Sequence, residues 1–268
     1  MDNRAIGIFD SGLGGLTCVK KVMEIMPGED IIYFGDTGRV PYGTRSPETL
    51  VKYVRQDINF LESFDIKLIV IACGTASSAA LPRIKNEVKT GVIGVLEPAC
   101  VAAANATRNG KVGVIGTQGT INSGKYTQTL KSINPELEVF SKACPLFVPL
   151  VENGYTSGEV VELIAHDYLD KIKREGVDTL ILGCTHYPLL AAEIQKIMGD
   201  GVRLINSGAE TAIEARRYLE SRDMRSGREK GSVKYYVSDS VEGFSEIGGI
   251  FLEKKIEGNV TKVDIEKY

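Results

Sequence analysis

No C-x-x-C pair occurs among the five cysteines (18, 73, 100, 144 and 184), which are odd in number and widely spaced. That spacing suggests neither a disulfide framework nor a structural zinc site, leaving reduced thiols as the expected state. Charge of one sign is also scarce, since 32 basic and 35 acidic residues leave a net charge of −3. So slight an imbalance gives no electrostatic grip on nucleic acid or an anionic membrane. No apolar run approaches the ~20 residues of a membrane span, and the opening "MDNRAIGIFDSG" has no stretch long enough for a signal peptide. The reading is a cytoplasmic protein whose partners are small molecules, with no nucleic acid and no membrane. No Walker-type G-x-x-x-x-G-K-[ST] is present, and "SGLGG" (11–15) fails the G-x-G-x-x-G spacing because Thr17 stands where the last glycine belongs. A nucleotide loop is disfavoured.

What is present is an alternation. The runs "AIGIF", "IIYFG", "KLIVIA", "GVIGV", "KVGVIG", "LEVFS", "TLILG", "VRLIN" and "VKYYV" are separated by amphipathic segments of helical length. This is the α/β pattern of parallel sheets flanked by helices. Residues 47–63 read as a helix with Ser46 as N-cap and Pro47 in its first turn, and residues 157–174 as a helix starting from Ser157. The 268 residues suffice for two domains of roughly 100–150 residues each.

The runs also repeat. "AIGIFDSG" (5–12) falls on "KVGVIGTQ" (111–118) at an offset of 106, and "IKLIVIAC" (66–73) on "VDTLILGC" (177–184) at 111. "YF" at 33–34 meets "VF" at 139–140, "VP" at 40–41 recurs at 148–149, and "GVIGV" (91–95) falls on "GVRLI" (201–205). The shared order and slow drift point to related halves, 1–96 and 97–205, with the tail 206–268 packed on one of them. Two halves imply a cleft, a common place for a small-ligand site.

Cys73 in "IACGTASS" (71–78) and Cys184 in "LILGCTHYPLL" (180–190) occupy equivalent places in those halves. Both sit at the end of an aliphatic run, ahead of a predicted helix. Two facing thiols suit proton transfer at one carbon, one removing a proton from one face while the other delivers to the opposite face. A free thiol titrates near ~8.5, so a thiolate at neutral pH needs a helix N-terminus or polar neighbour. Nucleophilic attack by Cys184 with His186 as base is the alternative. Cys18, Cys100 and Cys144 read as small buried hydrophobes.

Other residues suit such a cleft. Asp10 ends a strand before "SGLGG" and can meet a substrate ammonium or a thiol proton, or cap the following helix. Of the two histidines, His186 stands beside Cys184, whereas His166 lies inside a predicted helix and reads as structural. The "PYG" turn (41–43) and the hydroxyls of Thr75, Thr117 and Thr185 are uncharged donors for carboxylates, alongside strand-end amides.

The series "IGIFDSGLGGLT" (6–17), "YFGDTGRVPYG" (33–43), "ACGTAS" (72–77), "VGVIGTQGT" (112–120), "VPLVENG" (148–154), "GCTHYPLL" (183–190) and "NSGAETA" (206–212) resembles glutamate racemases of the cofactor-independent aspartate/glutamate racemase superfamily. The resemblance implies two pseudo-symmetric Rossmann-like α/β domains with parallel-rich sheets, 1–96 plus 206–268 and 97–205, and an active site between them. It implies interconversion of L- and D-glutamate without pyridoxal phosphate or metal, D-glutamate for peptidoglycan, and a homodimer. By position, Cys73 would deprotonate the D-enantiomer and Cys184 the L-enantiomer. Asp10 and His186 match residues that assist the thiols, and Glu152 an acidic residue near Cys184. Ser11, Tyr42, Gly43, Thr75, Thr117 and Thr185 match substrate contacts. Gly74 departs from the pattern, since relatives usually carry asparagine there and glycine keeps only its backbone N–H. Losing one such contact to a charged group costs about 1.5–3 kcal/mol. Two alternatives follow: a racemase of another acidic amino acid, and a catalytically weak, racemase-like binding protein.

Overall fold

All nine aliphatic runs form strands in the computed structural model, which describes residues 1–256 and 260–268. They are β1 (Ala5–Asp10), β2 (Ile31–Gly35), β3 (Ile66–Ile71), β4 (Gly91–Gly94), β5 (Lys111–Gly116), β6 (Glu138–Ala143), β7 (Thr179–Leu182), β8 (Arg203–Asn206) and β9 (Val233–Val237). A tenth, β10 (Val260–Lys262), was not anticipated. Every pairing among the described residues is parallel, and β1 and β3 are buried almost throughout. Burial on both faces is why such strands read as unbroken aliphatic runs.

The strands make two sheets, ordered β10-β9-β2-β1-β3-β4 and β6-β5-β7-β8. The order β2-β1-β3-β4 thus recurs as β6-β5-β7-β8, which is the outcome the sequence offsets anticipate. The tail adds β9 and β10 to the first sheet beyond β2. The chain passes between the sheets twice, from β4 into the helix Leu96–Ala106 and from β8 into the helix Ser207–Glu220. One apolar cluster takes Ile8 and Val70 from the first sheet, Ile115 and Leu182 from the second, and Ala212 from the second crossing helix.

Helix starts follow cap chemistry. Ser46 Oγ accepts from Thr49 N at 3.3 Å ahead of the helix Pro47–Glu62. The helix expected from Ser157 begins later, at Glu159, and Ser157 does not cap it. Gly158 precedes it at φ 94°, so the chain turns into the helix through a conformation that glycine adopts readily. Among the described residues no helix is long and apolar enough to cross a membrane.

Candidate active site

In the first sheet β1 lies between β2 and β3, so the segments leaving β1 and β3 diverge to opposite faces and leave a crevice at their carboxyl ends. The core shows this divergence, since Ile6 and Ile8 of β1 share a cluster with Leu16 and Val19, whereas Phe9 packs with Val54 and Ala76. Asp10 ends β1, and Cys73 follows β3 by two residues. In the second sheet β5 lies between β6 and β7; Thr117 follows β5 directly, and Cys184 follows β7 by two residues. Both thiols therefore stand at the same topological place.

On the first side, Cys73 caps the short helix Gly74–Ala79, its Sγ accepting from Ala76 N at 3.5 Å and lying 3.7 Å from Ser11 Oγ. Burial pushes this thiol's pKa up, and the nearby Asp10 charge adds to the shift. Asp10 Oδ2 accepts from Gly15 N at 2.8 Å, at the start of the helix Leu16–Ile25. Its Oδ1 is buried without a hydrogen-bond partner. One oxygen thus serves the helix start, and the other has no hydrogen-bond partner. Burial raises the Asp10 pKa, against the charge of His186 and the amides of Gly15, Ser11 and Gly12.

On the second side, Cys184 does not precede an α-helix as expected. A turn and the 3₁₀ segment Tyr187–Leu190 follow it, and the α-helix begins at Ala191. Pro188, which has no amide to donate, sits at the start of that tight segment. The thiol's polar neighbour is instead His186, whose Nδ1 lies 3.8 Å from Cys184 Sγ. Its Nε2 lies 3.0 Å from Glu152 Oε1, and its ring stands edge-on to Phe251 at 5.3 Å, so the C-terminal tail reaches the site. Burial alone would lower the His186 pKa, but hydrogen bonds with Cys184 and Glu152 outweigh it and raise the value to about 10. That shift favours the protonated ring at neutral pH. His166 is exposed and pairs with Asp170 at 3.0 Å, away from this group.

The two sides meet along a seam. A Cβ on Gly74 would overlap the carbonyl oxygen of Gly183, and one on Gly14 would overlap Thr185 Oγ1. A Cβ on Gly43 would stand 2.9 Å from Thr117 Cβ. Thr75 and Thr117 hydroxyls lie 2.9 Å apart across the seam, and Thr120 joins them at 3.3 and 3.0 Å. Thr17, which spoils the nucleotide motif, places its hydroxyl 3.0 Å from the Thr185 carbonyl. Thr185 Oγ1 lies 3.5 Å from His186 Nδ1.

Tyr42 sits differently from the other expected contacts. Its hydroxyl lies 2.5 Å from Asp36 Oδ2 and 2.9 Å from Asp57 Oδ2, in a buried network closed by Arg39. Its side chain braces the 36–43 loop, and the neighbouring Gly43 packs on Thr117. Thr120, Thr17, Gly14 and Phe251 had not been singled out for this site; only Thr120, three residues after the cap Thr117, carried a local signal.

Both thiols are buried, at 5% and 9% exposure. Neither lines the cavity of about 1050 Å³ between β4 and the two crossing helices. Among the described residues, no group of three or more His, Cys, Asp or Glu is placed to hold a metal ion.

The sequence profile of the Asp/Glu/hydantoin racemase family matches residues 14–215. A glutamate racemase from Geobacter metallireducens is 50% identical over 264 residues, spanning 98% of this chain and 97% of the relative. Among solved structures, a glutamate racemase isoform from Bacillus anthracis superposes with a TM-score of 0.95 at 38% identity, over 98% of each chain. A glutamate racemase from Francisella tularensis, solved in complex with D-glutamate, gives a TM-score of 0.93 at 38% identity over 100% of both chains.

Proposed function

The chain belongs to the Asp/Glu/hydantoin racemase family, and from that premise we propose that it interconverts L- and D-glutamate by passing a Cα proton between Cys73 and Cys184. The D-glutamate formed would serve peptidoglycan synthesis. The observation that carries this reading is the equivalence of the two thiols. Each stands two residues beyond the corresponding strand of its sheet, and the adjacent Gly74 and Gly183 are in contact.

From L-glutamate, Cys184 as thiolate takes the Cα proton, and Cys73 as thiol then delivers its own proton to the opposite face. The products are D-glutamate, a Cys184 thiol and a Cys73 thiolate, and the reverse reaction restores the start. His186 can exchange a proton with Cys184 through Nδ1 while Glu152 holds the other ring nitrogen. Ser11 and Asp10 play the corresponding part beside Cys73. The free Asp10 oxygen suits the substrate ammonium. The hydroxyls of Thr75, Thr117 and Thr185, with the backbone N–H groups of Gly43 and Gly74, suit its carboxylates and the negative charge that develops as Cα loses its proton.

Burial of both thiols requires the cleft to open for glutamate to enter. We take the moving bodies to be residues 1–96 plus 206–268 and residues 97–205. The same reading extends to a cytoplasmic homodimer, measurable as a solution mass twice that of the chain. A weakly catalytic binding protein was suggested only by Gly74. That motive weakens because the space a side chain would need is taken by the Gly183 carbonyl.

The test is a circular-dichroism assay on L- and D-glutamate, with aspartate and other amino acids as a panel, for the parent, Cys73→Ala and Cys184→Ala. We expect turnover of glutamate and a loss of about 10²–10⁴-fold or more in each variant. Full activity in Cys73→Ala would overturn the two-thiol reading.

A further inference from the structure

Each passage of the chain between the two sheets is fastened by a serine to the strand that leads into a thiol. Ser77 Oγ donates to the carbonyl of Ile71, the last residue of β3, at 3.1 Å, and accepts from Val95 N at 3.1 Å. Val95 is the single residue between β4 and the crossing helix Leu96–Ala106. Ser207, the first residue of the second crossing helix, donates from Oγ to the carbonyl of Leu182, the last residue of β7, at 2.5 Å. Ile71 stands two residues before Cys73, and Leu182 two before Cys184. Both serines are buried.

The two links are not copies of one inherited contact. Ser77 lies on the thiol side of its link, in the helix after Cys73, whereas Ser207 lies on the crossing side of its own. At the repeat offset of 111, Ser77 falls on Pro188 and Ser207 falls on Leu96, and neither bears a hydroxyl. The halves reach the same connection from opposite ends. Close packing supports both links. A Cβ on Gly94 would stand 2.9 Å from Ser77 Oγ, and Thr211 Oγ1 donates to the Ser207 carbonyl at 2.7 Å.

We propose that Ser77 and Ser207 are positioning residues that tie the two crossings to the carbonyls preceding Cys73 and Cys184, so that the thiols come into register as the cleft closes. The proposal rests on the two-thiol reading above. A hydroxyl lost from either link frees a strand-end carbonyl and loosens the thiol two residues on. Displacement of a reacting group by about 1 Å costs on the order of 10²-fold in rate.

The test uses the full-length chain with Ser77→Ala and Ser207→Ala, measuring kcat, KM and primary deuterium isotope effects with L- and D-[2-²H]glutamate, alongside thermal unfolding. Each variant is expected to lose about 10- to 100-fold in kcat, with KM changed less than about threefold. Ser207→Ala should raise the isotope effect with the L-enantiomer alone, since Cys184 abstracts there, and Ser77→Ala with the D-enantiomer alone. Ser77→Cys and Ser207→Cys, of nearly the same size with a weaker donor, should give smaller shifts of the same kind. They carry the test if an alanine variant does not fold. Unchanged kcat, or equal isotope effects for both enantiomers, would overturn the proposal while leaving the two-thiol reading intact. Full activity in Cys73→Ala in the same series would overturn that reading instead, and this proposal with it.

Discussion

Glu152 Oε1 lies 3.0 Å from Nε2 of His186, while Nδ1 of the same ring lies 3.8 Å from the sulfur of Cys184. Carboxylate, imidazole and thiol in line would also suit a cysteine nucleophile, which is why the sequence left that alternative open. The second thiol at the equivalent strand end favours proton transfer, because a nucleophile needs no such counterpart.

The contacts of His186 with Cys184 and Glu152 make stability depend on pH. His186 titrates at about 10 in the folded chain against an ordinary value of 6.5, so between these values the folded state holds more protons than the unfolded one. Its contribution is fully present below about 6.5 and is lost as pH rises through about 10. Buried thiols such as Cys18, pushed up to about 12, add a similar loss that His186→Gln shares. The melting temperature of the parent relative to His186→Gln should therefore fall across this window. A difference that stays flat or grows with pH would contradict the assignment.

Gly74 gives a prediction opposite to the one its departure from the family pattern suggested. A side chain at 74 must displace the Gly183 backbone, and overpacking of this kind costs about 1–3 kcal/mol. Gly74→Ala and Gly74→Asn should both lower turnover and melting temperature. A rise in glutamate turnover in Gly74→Asn would show that the glycine is a lost contact rather than a close-approach site.

The hydroxyl cluster of Thr75, Thr117 and Thr120 should act on binding. On the proposed reading, Thr117→Val removes a donor to a substrate carboxylate, worth about 1.5–3 kcal/mol. KM for glutamate should rise by about 10- to 150-fold, with a smaller change in kcat. An unchanged KM would remove Thr117 from the substrate contacts.

Strands and thiols were legible in the sequence for one physical reason. Sheets covered on both faces leave continuous aliphatic runs, so residues at their ends, Asp10, Cys73, Thr117 and Cys184, stand out as the places where polarity begins. β10 escaped notice because it has three residues, two of them the exposed Thr261 and Lys262. The seam was not legible, since it joins residues far apart in the chain, as Thr17 to Thr185 and Thr75 to Thr120. Gly14 reads as part of a failed nucleotide motif, Gly43 as a turn residue and Gly74 as a lost contact, and only the packed halves show them as places where no side chain fits. The helix start after Gly158 and the 3₁₀ turn after Cys184 were hidden because backbone conformation, not pattern, decides them.

The central claim is that the Cα proton leaves through one thiol and a different proton arrives from the other. It is tested most directly by ¹H NMR of L-glutamate racemisation in D₂O at low conversion. The account predicts that D-glutamate carries solvent deuterium at Cα from the first turnovers. D-glutamate that retains the substrate's own Cα protium would contradict it, because a single base would then serve both faces.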